Sequence, residues 1–427
     1  MLTKHKLREL IDVTRGMSLP GEYYSESGEY IRLTMGNFNY NGGGFKENTS
    51  KTDIYYTGPI REEYILNKGD IITPLTEQAL GLLGTTAMIP ESGKYIQSQD
   101  VALITCKEDK IDHLYCYYLI SSDLVKKQLS AVAQQTKIRH TSPDKIMDCT
   151  VWIPEMGIQQ RIGKTLYEID QKISLSTRMN AELEAMAKQL YDYWFVQFDF
   201  PDENGNPYKS SGGEMVYNST LKREIPAGWE VKNLNKIADS FRGVTYNKSD
   251  LVSESEDSIL VLRGNNIPSS GQFAYDSNVA FIPRAMISEE QKINKGDIII
   301  TMSSGSKEHI GKCFMFQSDS DHTFGAFLSK FVPSNDRRYY VYLSMLSDFF
   351  KAFVKTTCNG TGINNLTNDT FNNVLFPIPN SKTLREFEDI TESIYKKVGV
   401  NQKQINDLTH LRDSILPMLM NGQVTVE

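Results

Sequence analysis

The hexapeptide Asn67-Lys68-Gly69-Asp70-Ile71-Ile72 occurs again unchanged as Asn294-Lys295-Gly296-Asp297-Ile298-Ile299, 227 residues later (294 − 67) in a chain of 427. Other landmarks keep nearly this spacing. Arg15-Gly16 answers Arg242-Gly243 and Gly84 answers Gly311 at 227, Gly36-Asn37 answers Gly264-Asn265 at 228, and Thr136, Ile138 and Ile153-Pro154 answer Thr361, Ile363 and Ile378-Pro379 at 225. A period this long marks a duplicated domain and not a solenoid or propeller. The chain is therefore constrained to fold as two versions of one design, each with its own core.

Composition narrows the setting. Hydrophobic residues make up 40% and charged residues 23%, the balance of an ordinary soluble globular protein. The cysteines at 106, 116, 149, 313 and 358 form no Cys-x-x-Cys pair and no zinc-ligand spacing, so they read as reduced thiols. The charged start Met1-Leu2-Thr3-Lys4-His5-Lys6 is not a signal core, and no run is long enough to span a bilayer. A soluble, cytoplasmic protein with no membrane partner is expected. The formal charge of −7 argues against a simple basic nucleic-acid binder, yet it allows a polar groove on an acidic body or a partner that carries the positive charge.

Each copy opens with a strand-rich part of about 150 residues. Short apolar runs at 30–33, 70–73 and 101–105, and at 259–262, 297–302 and 312–316, are divided by Gly, Asn and Pro signals. One helix is expected over 113–130 and its match over 338–354. After each Ile-Pro the pattern changes. A 4,3 alternation runs through Ile162, Leu166, Ile169, Ile173, Ser176, Asn180, Leu183, Ala187, Leu190 and Trp194. It returns through Phe387, Thr391, Ile394, Val398, Asn401, Ile405, Leu408, Arg412, Ile415 and Leu419. Such spacing makes a coiled-coil seam, and the polar members are of the kind that fix register. Helices of about 35–40 residues would give a rod of roughly 55 Å.

The reading is an α+β chain with strand-rich domains at 1–156 and 226–380, a central helix at 157–198, a polar connector at 199–225, and a C-terminal helix and tail at 381–427. The two helices are expected to pair as an antiparallel coiled coil that gives the repeat an approximate two-fold axis. The alternative packs each helix onto its own domain.

Catalytic signatures fail on inspection. Gly163-Lys164-Thr165 resembles the end of a P-loop, but Ile158 occupies the required earlier glycine and the segment lies within a helix. Gly360-Thr361-Gly362 has Asn365 where a dinucleotide fingerprint needs glycine. Asn206-Pro207-Tyr208 has one proline too few for an amino-methyltransferase loop. Pro143-Asp144 with Asp170-Gln171-Lys172 matches a metal-dependent nuclease only by force, and the six histidines pair with no visible nucleophile. A non-enzymatic chain is expected, with no metal and no cofactor of its own.

The order of elements then becomes specific: strand-rich domain, Ile-Pro, long helix, connector, Pro226-Ala227-Gly228-Trp229-Glu230-Val231, second domain, Ile-Pro, second helix. It resembles the specificity subunit of type I restriction-modification systems over the whole chain. The ending Leu411-Arg412-Asp413-Ser414-Ile415-Leu416-Pro417-Met418-Leu419-Met420-Asn421-Gly422-Gln423-Val424 is similar to that family's terminus, and the segment from Leu183 to Phe195 resembles its central helix. One departure is the first copy's missing Pro-x-Gly-Trp entrance. The resemblance implies two target-recognition domains, each reading half of a split double-stranded DNA sequence through the major groove, with the helices as a ruler. It also implies two methyltransferase subunits that use S-adenosylmethionine, and restriction subunits that use ATP and Mg.

Base-edge reading requires Arg or Lys for guanine, Asn or Gln for adenine, and Ser or Thr for either. The copies diverge after the shared Lys-Gly-Asp-Ile-Ile, with 74–83 facing 302–310, which singles out Gln78 against Ser303, Ser304 and Lys307. They diverge again where Gln134, Gln135, Lys137, Arg139 and His140 face Asn359, Thr361, Asn364 and Asn365. Common flanks with different polar interiors suit two readers of different half-sites, and surface loops also drift in this way. Arg15 and Arg242 are candidate phosphate contacts, or else surface ion pairs. Asn37 and Asn265 could contact a base or the backbone, but an Asn after Gly is more often a turn, and Arg263 is a further candidate. Gly69-Asp70 and Gly296-Asp297 read as turns entering a strand, and Trp194 and Phe195, which close the helix seam, as core or partner-facing. Two rivals stay open: a related subunit whose partner fuses nuclease and methyltransferase, and a scaffold that binds two proteins without touching DNA.

Overall fold

The computed structural model describes residues 2–39, 43–49, 51–77, 81–132, 139–267, 279–305, 309–358 and 364–426. The chain divides into two compact units, Met1–Ser174 with Ile405–Glu427, and Leu175–Gln404.

In the first unit a four-stranded antiparallel sheet runs Ile11–Arg15, Val101–Cys106, Ile71–Pro74, Ala87–Met88 across its width. In the second, Ala238–Arg242, Leu328–Pro333, Ile298–Thr301 and Cys313–Met315 follow the same order. The repeated hexapeptide is the turn that feeds the third strand in that order, Ile71–Pro74 or Ile298–Thr301. Gly69 and Gly296 take φ of +93° and +90°, the left-handed region where a glycine has no steric penalty. The Asp70 carboxylate accepts the Asn67 N–H at 2.8 Å, and Asp297 accepts that of Asn294 at 2.8 Å. The turn is thus closed by the motif's own first and fourth residues.

The helix expected over 113–130 is two helices, His113–Ile120 and Asp123–Val132, and its counterpart is Arg338–Leu346 and Asp348–Thr357. Serine makes both breaks. The Ser122 hydroxyl donates back to the Leu119 carbonyl at 2.6 Å, and Ser347 is extended (ψ 154°) with its hydroxyl accepting the Phe350 N–H. A serine hydroxyl that satisfies nearby backbone groups competes with the helix ladder, and at Ser347 it also caps the helix that follows.

The long helices are Met156–Tyr191, followed by a π-helical turn Asp192–Val196, and Ser381–Met420. Every position of the 4,3 stripes is buried or half-buried. Within the first unit, Asp170 accepts from Arg412 at 2.8 Å and from the Tyr118 hydroxyl at 2.6 Å. Within the second, the Asn401 amide donates to Asn180 at 2.9 Å, and Asn180 donates to the Val398 carbonyl at 3.3 Å. Trp194 and Phe195 pack on Phe387 with ring centroids 5.7 and 4.6 Å apart, inside the second unit's core as the sequence indicates.

The connector is more ordered than its polarity suggests. Strands Met215–Asn218 and Arg223–Pro226 form a hairpin, and Phe200 stacks between Tyr208 (4.6 Å) and Trp229 (5.1 Å). Its aromatic residues, sparse among Gly, Ser and Asn, attach it to the second unit's core.

Glu388, 7% exposed, accepts the Tyr339 and Tyr340 N–H groups at 3.1 and 2.7 Å. Burial nevertheless pushes its carboxyl up to about 7 from an ordinary 4.5. Between those values the folded unit holds more protons than the unfolded one, so stability falls as pH rises from 4.5 to 7, by about 3 kcal/mol in full. Amide hydrogen exchange at Tyr339 and Tyr340 is expected to accelerate across that window, after correction for intrinsic rates. Glu388→Gln should flatten the dependence.

Candidate nucleic-acid interface

The divergent loops of each copy meet on a common backbone frame. The Gly16 N–H donates to Val101 at 3.2 Å, and Gly243 donates to Leu328 at 3.4 Å. Met17 donates to Gln97 at 3.2 Å and Val244 to Phe324 at 2.8 Å. Leu75 donates to Asp100 at 2.8 Å and Met302 to Phe327 at 2.9 Å, while Thr141 donates to Leu75 and Leu366 to Met302, both at 2.8 Å. The glycine of each Arg-Gly is required by close approach. A Cβ on Gly16 would lie 2.3 Å from the Ser98 carbonyl oxygen, and one on Gly243 would lie 2.2 Å from that of Gly325. Gly16→Ala and Gly243→Ala should therefore each cost about 1–3 kcal/mol through overpacking. Each should lower the stability of its own unit, as read by amide hydrogen exchange of the adjoining strand, Ile11–Arg15 or Ala238–Arg242.

On this frame the two loops of each copy are tied by a short antiparallel pairing. In the first copy Thr76–Glu77 pairs with Arg139–His140, Glu77 opposite Arg139. Glu77 is 1% exposed, and its Oε2 accepts N–H bonds from Gly81, Leu82 and Leu83 at 3.2, 2.9 and 3.0 Å. Its Oε1 faces Arg139 Nη1 at 3.1 Å as an ion pair without hydrogen-bond alignment. Arg139 also donates to the Ser130 carbonyl. In the second copy Ser303–Ser304 pairs with Asn364–Asn365, Ser303 opposite Asn365 and Ser304 opposite Asn364. In the first copy a charge pair reinforces this backbone pairing, and in the second the paired strands carry serine and asparagine.

The candidate residues sort accordingly. Arg15, Arg242, His140 and Asn365 are exposed, and Ser303 and Ser304 are half-buried, all on or beside the frame. Arg139 is half-buried and engaged with Glu77 and Ser130, so its guanidinium holds the loops together. Arg263 is also engaged, its Nε donating to the Tyr246 hydroxyl at 2.9 Å.

Asn37 is 1% exposed. Its amide oxygen accepts the Thr34 N–H at 2.9 Å and its nitrogen donates to Lys46 at 3.3 Å, so it is a turn residue turned away from the surface. The same capping role in the second copy belongs to Asn266, which accepts the Arg263 N–H at 2.8 Å. The match of Asn37 with Asn265 is therefore off by one, and Asn265 itself is exposed. Gln78, Gln134, Gln135, Lys137, Lys307, Asn359 and Thr361 lie outside the described residues, as does the side chain of Asn364.

Sequence reasoning missed Glu77, whose neighbour Arg139 is 62 positions away (139 − 77), and Phe327, which is 68% exposed next to Ser303.

Comparison with known proteins agrees with this duplicated design. The family model described as "Type I restriction modification DNA specificity domain" matches twice, over residues 2–185 and 226–410. The MjaIX specificity subunit of Methanocaldococcus jannaschii is 25% identical over 322 residues, 75% of this chain and 71% of that protein. The StySPI specificity subunit of Salmonella potsdam is 27% identical over 212 residues, 47% of this chain and 44% of that protein. The crystal structure of a type I restriction-modification system S subunit from M. genitalium shares the fold at 16% identity, with a TM-score of 0.57 over 98% of this chain and 96% of that one. Among the described residues no helix is long and apolar enough to cross a membrane. With the family model covering most of the chain in two matches, this protein belongs to the type I restriction-modification specificity-subunit family and carries two of its recognition domains.

Proposed function

We propose that this chain is the non-catalytic reader of a bipartite double-stranded DNA target, with the recognition domains at 1–156 and 226–380 each taking one half. The observation that carries the reading is the joining of both divergent polar loops of each copy on one frame. Exposed Arg15 and His140 lie on or beside that frame in one copy, and Arg242 and Asn365 in the other. Arginine there suits phosphate, and Asn, Ser and His suit base edges.

The helices are proposed to pair antiparallel as a coiled coil that sets the gap between half-sites and relates the copies by an approximate two-fold axis. Supporting contacts run in that sense: Asp170 meets Arg412 in one unit, and in the other Asn180 meets Asn401 and Trp194 meets Phe387, one index rising as the other falls. Two methyltransferase subunits would dock on this chain and bring S-adenosylmethionine, and restriction subunits would bring ATP and Mg. The chain itself would contribute no catalytic group.

A mobility-shift assay on the complex reconstituted with its methyltransferase tests this. Duplexes selected from random DNA should converge on a split motif. An intact complex that retains no DNA would instead support a protein scaffold.

A further inference from the structure

Phe327 is 68% exposed, in a tight turn closed by the Leu328 N–H donating to Gly325 at 2.8 Å. Its own carbonyl accepts two N–H bonds, from Met302 at 2.9 Å and Ser303 at 3.3 Å, so the backbone beneath the ring is held from the side of the polar loop. The fold does not need a phenyl ring there. The first copy builds the same turn, with Val101 donating to Ser98 at 3.0 Å and Leu75 to Asp100 at 2.8 Å, and carries an aspartate at the corresponding position. A single exposed apolar side chain is unremarkable on most surfaces. This one stands on a rigid turn beside Ser303 and the Asn364–Asn365 strand, on the frame that carries exposed Arg242. In the major groove the one apolar feature of a base edge is the C5-methyl group of thymine, which a phenyl ring can cover.

We propose that Phe327 is a specificity-determining residue that selects thymine, through its methyl group, at one position of the half-site read by the second copy. The inference rests on the DNA-reading function above and adds a base and a residue to it.

The test uses the complex with its methyltransferase subunits and duplexes bearing the mapped motif, each thymine of the second half-site replaced in turn by deoxyuridine. Loss of one methyl contact should weaken binding about fourfold at a single position. Phe327→Ala should weaken binding about tenfold or more and abolish the difference between thymine and deoxyuridine there. Because the ring is exposed, its removal should leave the melting temperature unchanged, and Asp100→Ala should leave the thymine preference intact. A half-site without thymine, or deoxyuridine tolerated at every position by the unaltered complex, would overturn the inference and leave the DNA-reading function standing. A Phe327→Ala loss that is equal on thymine and deoxyuridine duplexes would also overturn it, since the ring would then act on the sugar-phosphate chain or between bases. Absence of any sequence-selective binding by the unaltered complex would instead defeat the DNA-reading function itself.

Discussion

Glu77→Ala is expected to erase recognition of the half-site read by the first copy while leaving the other half intact. Removing this carboxylate strands the N–H groups of Leu82 and Leu83, both only 1% exposed, and deprives Arg139 of its opposite charge. Each buried N–H left without an acceptor costs about 1–3 kcal/mol, and the lost pairing with half-buried Arg139 adds to that. That is enough to release the loop that Glu77 fastens. Hydrogen exchange should show the amides of Leu82 and Leu83 losing protection while the Ile298–Thr301 strand of the second copy keeps its own. Glu77→Gln retains an acceptor oxygen but not the charge, so its effect should be intermediate. Equal damage to both halves of the methylated motif would show that the copies do not read independently.

The second large effect concerns spacing. Inserting four residues beside Asn180 and four beside Asn401 would lengthen each helix by roughly 6 Å and return the buried stripe about 40° past a full turn, close to its original phase. The gap between half-sites should then grow by about one or two base pairs, given a rise of about 3.4 Å each, while both half-sites stay the same. Affinity should fall, because the inserted turns also rotate one domain against the other. Sequencing the methylated motif in cells that carry the insertion measures the gap. An unchanged gap with full activity would mean that the helices do not set it.

Periodic and repeated features were the legible ones. A 4,3 stripe needs only helical geometry to be read, and all of its positions, down to Asn180 and Arg412, turned out buried or half-buried. The hexapeptide turn was equally legible, because Gly at a positive φ and Asp closing on Asn are local chemistry. The helix breaks were less so: Ser122-Asp123 and Ser347-Asp348 sit hidden inside otherwise apolar helical patterns. The register error at Asn265 arose because Asn265 and Asn266 are adjacent and identical in type, and only the hydrogen bond to Arg263 separates their roles.

The frame that joins the loops was half-legible. Divergence between copies pointed to the loops, but pairing Glu77 with Arg139, or standing Phe327 beside Ser303, depends on strands that return from distant parts of the chain. Arg139 illustrates the limit. Its type suits a guanine reader, whereas its position beside a buried carboxylate makes it a fastener.

Whether one chain reads two separated half-sites is measured by mapping methylated bases across the genome of cells with and without this gene. One split motif with a gap of fixed length is expected, present only when the gene is present. An uninterrupted motif, or a split motif that persists after the gene is deleted, would contradict it.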